Sequence, residues 1–258
     1  MSYLEDLFSL SGQVALVTGA ARGNGRAMAE ALCRAGASVV VSDILEAELI
    51  KTVADFKSEG FQAVSFHGDL ADVACRERLV AFVTGEFGRM DVLVNNAGVS
   101  LPHELFDYPE ANWERTYRVN LYVPFELSRL FGKMMMESGS GSIINITSLN
   151  AELAFPDNPA YVAFKGALRQ LTKSIALDLG KYGIRANNIG PGYFHTDMTK
   201  GSYADPVKNR QRSDRTVLGR WGEPRDLAGI VVFLASGASS YITGQDIYVD
   251  GGWMIKGL

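Results

Sequence analysis

A tyrosine and a lysine stand four residues apart in the segment "YVAFK", as Tyr161 and Lys165. Because residues at i and i+4 lie on the same face of an α-helix, the phenol and the ammonium should share one small volume. A free tyrosine has a pKa of about 10 and is a poor base at neutral pH, but a neighbouring ammonium favours the phenolate. The pair therefore predicts a general base that accepts the proton of a substrate hydroxyl.

Two further polar residues could complete this site. Ser148 ends the apolar segment "GSIINITS" and could hydrogen-bond the reacting oxygen beside Tyr161. Asn120, in "RVN", lies inside a helical run and could bind a water that passes protons from Lys165 to solvent. An asparagine in a helix is otherwise an exposed or capping residue, so the prediction for Asn120 depends on the other three residues.

The segment "TGAARGNG" lies between an apolar run and a helix-like one, and it predicts a cradle for a pyrophosphate. Gly19 can make the tight turn, Gly23 and Gly25 let the backbone approach a phosphate, and the helix N-terminus supplies free N–H groups. Arg22 and Asn24 lie between these glycines and are predicted to contact the same ligand. A glycine pattern alone is weak, but the strand before it and the helix after it are what a dinucleotide site requires.

The choice of dinucleotide depends on two residues of opposite charge. Asp43 ends the second strand-like run, where a carboxylate accepts hydrogen bonds from the adenosine ribose and repels a 2'-phosphate. Arg22 favours a 2'-phosphate, but it could instead turn to solvent or pair with Asp43. We therefore predict NAD as the cofactor, with NADP as a secondary one.

A second acidic residue, Asp69, closes the third strand-like run and is followed by Leu70. Both are predicted to contact the cofactor, and Asp69 could hold the amino group of its adenine. An equally good alternative is that Asp69 caps the helix that begins after it.

Apolar strand-like segments recur between segments of helical spacing along the whole chain. They are "VALVT" from Val14, "SVVVSD" from Ser38, "QAVSFH" from Gln62, "DVLVNN" from Asp91, "GSIINITS" from Gly141, "IRANNI" from Ile184 and "DIYVDGG" from Asp246. Short, nearly continuous apolar strands are typical of a parallel sheet with helices on both faces. Residues 1–258 are therefore predicted to form a single α/β domain, a Rossmann-type doubly wound parallel sheet of about seven strands that carries both the cofactor and the catalytic site. Residues 195–221 lack this pattern and are predicted to be a substrate lid, since long excursions are usually lids or disordered.

The composition excludes several classes of protein. A net charge of -4 and a pI near 5.5 argue against a broad basic surface for nucleic acid. No apolar run is long enough to span a membrane, and the first residues lack the basic and apolar regions of a signal peptide. Cys33 and Cys75 both lie in helix-like segments, so neither a disulfide nor a metal site is predicted, and a reducing, cytoplasmic location is expected.

Together with "NNAG" at Asn95–Gly98 and "NIGPGYFHT", these motifs resemble the short-chain dehydrogenase/reductase family from about Leu10 to Trp253. The resemblance implies the NAD(P)-dependent interconversion of an alcohol and a carbonyl by a homotetramer. The implied catalytic residues are Asn120, Ser148, Tyr161 and Lys165. Further cofactor contacts implied are Asn96, Ala97, Gly98, Tyr161, Lys165, Pro191, Gly192 and Thr196. Asn24 departs from the family pattern, which usually has an aliphatic residue there, so the turn is expected to hold an extra polar contact or a water.

The substrate is less well defined by the sequence. The segments "NNIGPGYFHTDM" and "GRWGEPRDLAG" resemble the branch of the family that acts on sugar acids and polyols, such as gluconate 5-dehydrogenases and 2-deoxy-gluconate 3-dehydrogenases. Polar side chains near the catalytic residues suit a polyhydroxylated small molecule, although some of them could be solvated loop residues. They are His103, Asn150, Glu152 and Asn158. One alternative is an NADPH-dependent enzyme similar to 3-oxoacyl-carrier-protein reductases, and another is a catalytically idle regulator that binds the cofactor.

The segment from Lys200 to Arg220 is basic in a chain that is acidic overall. If it covers the substrate, its positive charge could hold a carboxylate, a sulfonate or a phosphate, with one arginine binding bidentately. The predicted substrate residues are Ser148, Asn150, Tyr161, Tyr193, Arg210 and Arg212. The alternative is that this face is solvated or contacts another subunit.

Overall fold

A computed structural model describes residues 2–257 and contains one seven-stranded sheet in which every paired strand is parallel. Its strands are β1 (Val14–Thr18), β2 (Ser38–Asp43), β3 (Ala63–His67), β4 (Val92–Asn95), β5 (Gly141–Ile146), β6 (Ile184–Pro191) and β7 (Asp246–Val249). Their order in the sheet is β3-β2-β1-β4-β5-β6-β7. The predicted fold class is confirmed, because the order runs outward in both directions from β1 and β4 as in a doubly wound sheet.

Helices connect the strands and pack on both faces of the sheet. They are α1 (Tyr3–Phe8), α2 (Gly23–Arg34), α3 (Glu46–Ser58), α4 (Val73–Phe87), α5 (Glu110–Tyr117), α6 (Val123–Ser138), α7 (Pro159–Leu179), α8 (Lys200–Ala204), α9 (Pro206–Arg215) and α10 (Ala228–Ala235). Several of them end where the sequence provides a stop. Gly88 after α4 and Gly139 after α6 adopt the left-handed conformation that closes a helix without strain.

The core is divided by the sheet into two apolar clusters. Ala15 and Val17 of β1 point to one face, where α2 and α10 pack, whereas Leu16 points to the other, where α4 and α6 pack. Successive side chains of a strand alternate in this way, so β1 must be apolar throughout. All five residues of β1 are buried, and the strand is therefore fixed in the centre of the sheet.

A chain of buried amides crosses the sheet beside the site. Asn95 of β4 donates from Nδ2 to Asn145 Oδ1 at 2.8 Å, and Asn145 Nδ2 donates to Thr172 Oγ1 at 2.8 Å. The Thr172 hydroxyl in turn donates to Asn188 Oδ1 of β6 at 2.7 Å. These bonds tie β4, β5 and β6 to α7, and Asn95 thereby bridges neighbouring strands.

The irregular stretch at 195–221 is a helical excursion rather than a disordered loop. It contains α8 and α9, and its ends are joined by a bridge between Phe194 and Gly222. His195 N donates to Gly222 O, and Gly222 N donates to Tyr193 O, each at 2.9 Å. We call residues 195–221 the α8–α9 segment. Among the described residues, no helix is both long and apolar enough to cross a membrane.

Candidate active site

The strand order changes direction between β1 and β4, and a cavity of about 380 Å³ opens at this point. Nucleotides bind at this position in doubly wound sheets, outside the carboxyl ends of the strands. The predicted cofactor residues that line it are Gly19, Arg22, Gly23, Asn24, Gly25, Asp43, Asp69, Leu70, Asn96, Ala97, Gly98 and Thr196. The remaining four do not line it and belong to α7 or to the end of β6: Tyr161, Lys165, Pro191 and Gly192.

The turn between β1 and α2 is held by close packing of the main chain. Gly19 has a φ of +63°, and a methyl group on Gly25 would overlap the Gly19 carbonyl oxygen and lie 2.5 Å from Asn96 Nδ2. Helix α2 begins at Gly23, and the side chain of the preceding Arg22 makes no capping hydrogen bond. The Arg22 side chain therefore leaves the first N–H groups of α2 available to an anion.

Asn24 adds an unsatisfied polar atom to this turn. Its Oδ1 atom is buried and has no hydrogen-bond partner within residues 2–257. A buried acceptor without a partner costs free energy, so a donor on a ligand in the cavity would stabilise it. The turn thus offers N–H donors to a pyrophosphate and an acceptor to a polar group, and these residues fit a nicotinamide dinucleotide.

Asp43 is fixed at the wall of the cavity by two main-chain donors. Its Oδ2 accepts from Ala21 N at 2.9 Å, and its Oδ1 accepts from Leu45 N at 3.1 Å. Arg22 does not pair with this carboxylate, so that alternative is wrong. Arg22 Nε lies 3.1 Å from Asp197 Oδ2, in an ion pair whose two side chains are each 51% exposed. Because Asp197 belongs to the α8–α9 segment, this pair joins the cofactor turn to that segment.

Asp69 is held by an arginine from another helix. Arg115 Nη1 donates to Asp69 Oδ2 at 2.8 Å, and Ala71 N donates to Oδ1 at 3.0 Å. Burial alone would raise the pKa of Asp69, but these hydrogen bonds lower it below its usual value. The alternative role of Asp69 as a helix cap is wrong, since Asp72 caps α4 by accepting from Ala74 N.

Several residues that line the cavity were missing from the sequence prediction, among them Ile44, Arg115 and Val119. Ile44 is 52% exposed directly after Asp43, and an apolar residue next to a strand-ending acid was a usable signal. Arg115 reaches Asp69 from 46 residues away, and no local pattern points to such a contact.

The structure brings Ser148, Tyr161 and Lys165 together beside the cavity. Ser148 follows β5, and the other two lie in the first turns of α7. Lys165 Nζ lies 5.7 Å from the centroid of the Tyr161 ring and donates to the Ile146 carbonyl at 2.6 Å. A methyl group on Gly98 would lie 3.7 Å from Lys165 Nζ, so the catalytic lysine faces the "NNAG" turn of the cavity wall.

Burial controls the protonation of the two catalytic groups. Burial raises the pKa of Tyr161, and the hydroxyl of Ser148 acts in the opposite direction. Burial also lowers the pKa of Lys165 to about 8. The predicted lowering of the Tyr161 pKa by Lys165 is not found, because the ammonium lies against the face of the ring and donates to Ile146 rather than to the phenol.

Asn120 lies in a single π-helical turn, Arg118–Tyr122, between α5 and α6. Its side chain is fully buried: Oδ1 accepts from Val99 N and Nδ2 donates to Val99 O, both at 2.8 Å. The alternative of an exposed or capping residue is therefore wrong. Such π-turns are frequent at functional sites, and here the asparagine fixes the loop that follows Gly98. Its binding of a water stays a prediction.

A cluster of aromatic rings surrounds Tyr193, which follows β6. The ring of Tyr193 lies with its centroid 4.8 Å from Trp253, 5.4 Å from Trp221 and 6.2 Å from Phe155. Tyr193 is also close enough to Tyr161 to contribute to raising its pKa, after burial. We call Phe155, Tyr193, Tyr203, Trp221 and Trp253 the aromatic cluster. It joins Tyr193 to Tyr203 and Trp221 of the α8–α9 segment.

Of the polar side chains predicted near the substrate, Asn150 lies at Ser148, whereas Glu152 and His103 do not. Asn150 accepts a hydrogen bond from Ser148 Oγ at 3.2 Å and thus lies at the catalytic serine. Glu152 is instead engaged by Arg169 at 2.8 Å, and the side chain of His103 is exposed.

Arg210 and Arg212 point to different sides of α9. Two residues along a helix differ by about 200° in direction. Arg210 pairs with Asp214 at 3.4 Å through a side chain that is 86% exposed, so it lies outside the site. The guanidinium carbon of Arg212 lies 4.7 Å from the centroid of the Tyr193 ring. Only Arg212 therefore contacts the aromatic cluster.

No group of three or more His, Cys, Asp or Glu side chains within residues 2–257 is arranged to hold a metal ion.

Comparisons with known proteins agree with this geometry. A family model described as enoyl-(acyl carrier protein) reductase matches residues 19–254. The chain is 40% identical over 259 residues to 2-dehydro-3-deoxy-D-gluconate 5-dehydrogenase of Bacillus subtilis (strain 168), covering 99% of this chain and 100% of that protein.

Two solved structures are similar along the whole chain. One is a gluconate 5-dehydrogenase from Burkholderia cenocepacia J2315 in complex with NADP and tartrate, with a TM-score of 0.94, 37% identity, and coverage of 99% of this chain and 100% of that one. The other is a 7α-hydroxysteroid dehydrogenase in complex with NADH and 7-oxo glycochenodeoxycholic acid, with a TM-score of 0.93, 36% identity and 98% coverage of both chains. These relatives bind different forms of the nicotinamide cofactor and different classes of substrate.

Proposed function

The chain belongs to the short-chain dehydrogenase/reductase family, and from this premise we propose that it interconverts a secondary alcohol and a carbonyl on a sugar acid, with NAD as its preferred cofactor. One observation carries the proposal. Tyr161, Lys165 and Ser148 converge beside a cavity at the switch point of the sheet, so a proton acceptor lies next to a dinucleotide site.

Each catalytic residue has a defined task in this proposal. Ser148 holds the reacting oxygen of the substrate by a hydrogen bond, and Tyr161 takes the hydroxyl proton during oxidation and returns it during reduction. Lys165 supplies positive charge beside the Tyr161 ring, while Asn120 fixes the loop next to both. The bound cofactor supplies the hydride acceptor at C4 of its nicotinamide ring.

Asp43 supports NAD over NADP. Two main-chain N–H groups hold its carboxylate at the cavity wall, and the alternative partner for a 2'-phosphate, Arg22, is turned to Asp197. A phosphate at the ribose would lie against a fixed negative charge. One relative, a gluconate 5-dehydrogenase, has a solved structure in complex with NADP. The cofactor preference proposed for this chain therefore differs from the cofactor in that structure.

A sugar acid is supported by the site and by the relatives. Ser148 and Asn150 place polar groups at the reacting oxygen, and the α8–α9 segment, which we propose as the substrate lid, brings positive charge to the aromatic cluster. The relative in Bacillus subtilis is named for a dehydrogenase of a sugar acid.

The proposal is tested by measuring oxidation of a panel of aldonates, polyols and aldoses with NAD and with NADP. We expect turnover of at least one aldonate with NAD, and a loss of about 100-fold or more in kcat for Tyr161→Phe with cofactor binding retained. Tyr241→Phe is the matched control, because that side chain is fully exposed next to β7. A normal rate for Tyr161→Phe would contradict the proposal, and faster reduction of a 3-oxoacyl thioester with NADPH would assign a different substrate class.

We also infer a homotetramer, in which the helices around Asn120 and Tyr161 pack against another subunit. Exposed apolar side chains on α5, α6 and α7 support it, namely Trp113, Phe125 and Leu177. Light scattering after size exclusion measures the mass directly, and a monomeric mass would contradict this inference.

A further inference from the structure

The basic side chains of the α8–α9 segment differ in whether they already have a partner. Lys208 lies 3.8 Å from Asp205, Arg210 lies 3.4 Å from Asp214, and Arg220 lies 2.6 Å from Asp226. Arg215 donates to the main-chain oxygen of Gly257 at 3.0 Å. These contacts use up most of the positive charge from which the sequence predicted anion binding.

Arg212 differs from these four residues in its contacts. Within residues 2–257 its guanidinium has no ion pair and no hydrogen bond, and its Nε atom is buried without a partner. A buried N–H donor without a partner lowers the free energy of unfolding. The planar guanidinium group of arginine binds an anion best when the anion accepts two hydrogen bonds. The unsatisfied donor therefore points to a ligand that is not part of the polypeptide.

Tyr193 determines where that ligand would lie. Arg212 stacks on one side of the Tyr193 ring, while Tyr193 is close enough to the catalytic Tyr161 to contribute to raising its pKa. Phe155 and Trp253 pack around the same ring and restrict its movement. An anion on Arg212 would thus lie beside the Tyr193 ring.

We propose that Arg212, stacked on Tyr193, binds the carboxylate of the substrate and makes the enzyme selective for sugar acids over neutral polyols. This inference rests on the proposed function, because it assigns the charged end of the same substrate. Arg210 has no part in it, although the sequence alone gave both arginines the same role.

If Arg212 binds the substrate carboxylate, its loss should affect KM and kcat differently. The carboxylate lies away from the reacting carbon, so Arg212 contacts it equally in the ground state and in the transition state. Removing such a contact raises KM and leaves kcat nearly unchanged. A residue that only supported the fold would instead affect charged and neutral substrates alike.

The test compares Arg212→Gln, Arg212→Lys and Arg210→Gln in the cofactor-saturated protein. Binding of D-gluconate and of its neutral analogue D-glucitol is measured by calorimetry, and steady-state rates with both are measured in parallel. For Arg212→Gln we expect a loss of about 10- to 100-fold in gluconate affinity, an increase in KM of similar size, and unchanged binding of glucitol. Arg212→Lys should recover part of the loss because it restores the charge but not the fork, and Arg210→Gln should behave as wild type.

Four outcomes would overturn the inference: no binding of gluconate by the wild-type protein, unchanged gluconate affinity in Arg212→Gln, an equal loss for glucitol, or an equal loss in Arg210→Gln. D-glucitol 6-phosphate is included because phosphate is the other anion that arginine binds well. A loss confined to the phosphate would overturn the assignment of a carboxylate. If gluconate binds through Arg212 but no sugar acid is turned over, the proposed function fails while the binding inference stands.

Discussion

The cofactor cavity and the α8–α9 segment meet at Thr196, Asp197 and Met198, but they are held in different ways. The cavity wall is held by two side chains that bond to the main chain: Thr18 Oγ1 accepts from the N–H groups of Asn96 and Ala97, and the Asn96 side chain donates to the carbonyls of Thr18 and Gly19 at 2.9 Å. The α8–α9 segment has main-chain hydrogen bonds to Gly222 and Gly251 near its ends, and between them it is held by side chains. His195 stacks on Tyr203 at 3.7 Å, and further contacts come from the aromatic cluster and the ion pairs.

This difference explains how one scaffold serves many substrates. These contacts depend on few side chains, so the cavity keeps its shape as long as Thr18, Asn96 and the glycines of the turn are present. Side-chain contacts can be exchanged one at a time, so the substrate side can vary without loss of the cofactor site. Substitutions on the two sides should therefore have effects of very different size.

The largest effect is expected for Gly25→Ala, on the cavity side. A methyl group there overlaps the Gly19 carbonyl oxygen and crowds Asn96, so the turn between β1 and α2 must open. We expect cofactor affinity to fall by at least about 100-fold, since the phosphate contacts depend on this turn. Titration of the protein with NADH, followed by fluorescence, measures the loss.

Gly85→Ala is the matched control for that substitution. Gly85 lies exposed in α4, and nothing is within 4 Å of the position of an added methyl group. Alanine should stabilise this helix by about 0.5–1 kcal/mol, so the two substitutions should act in opposite directions. Full cofactor affinity in Gly25→Ala would show that the turn is not rigid and would remove the basis of the comparison.

A second prediction concerns Lys165, which lies beside the cavity wall at Gly98. Burial lowers its pKa to about 8 in the folded protein, while that of an unfolded chain is about 10.4. Between these values the unfolded chain binds more protons than the folded one, so stability rises with pH. The cost of the buried ammonium, about 3 kcal/mol, is fully present below pH 8 and disappears as the pH approaches 10.5.

Urea unfolding between pH 7 and pH 10.5, in the absence of added cofactor, measures this dependence. The free energy of unfolding of Lys165→Met relative to wild type should be highest near pH 7 and should decrease as the pH rises. Lys51→Met, at an exposed position in α3, is the control. A difference that does not vary with pH would mean that Lys165 is not desolvated as the structure indicates.

A third, smaller effect is expected for Asp43→Asn, which removes the negative charge and keeps an acceptor for the main chain. The ratio of kcat/KM for NADP to that for NAD should rise by about tenfold, because the repulsion of the 2'-phosphate is lost. Asp55→Asn is the control, since that carboxylate pairs with Arg26 on the surface at 2.9 Å. An unchanged ratio would show that Asp43 does not select the cofactor.

The same contrast explains what could be predicted from the sequence. The strands and the glycine turn follow local patterns, whereas the exact end of a strand depends on its neighbour in the sheet. Strand β6 continues to Pro191 because Gly190 and Pro191 pair with Tyr248 and Val249 of β7. Every strand was located, since strands covered on both faces are apolar along their length.

Contacts between distant residues could not be predicted. Arg22 pairs with Asp197 and Arg115 with Asp69, and the sequence does not show which of several acidic residues each arginine reaches. The difference between Arg210 and Arg212 depends on the rotation of α9, and this helix carries too few apolar residues to reveal a buried face.

The smallest predicted effect concerns the contact between the C-terminal tail and the α8–α9 segment. Lys256 Nζ donates to the carbonyls of Asp214 and Thr216, at the C-terminal end of α9, where a positive charge is favourable. Removing it in Lys256→Ala should weaken the last turn of α9 by about 0.3–1 kcal/mol, which corresponds to about a two- to fivefold faster hydrogen exchange of its amides.

Lys208→Ala is the control with the opposite expectation. That lysine lies near the N-terminal end of the same helix, where a positive charge is unfavourable, so its loss should leave exchange unchanged or slower. If both variants left the helix unchanged, the tail would not help to hold the segment, and the aromatic cluster alone would account for its position.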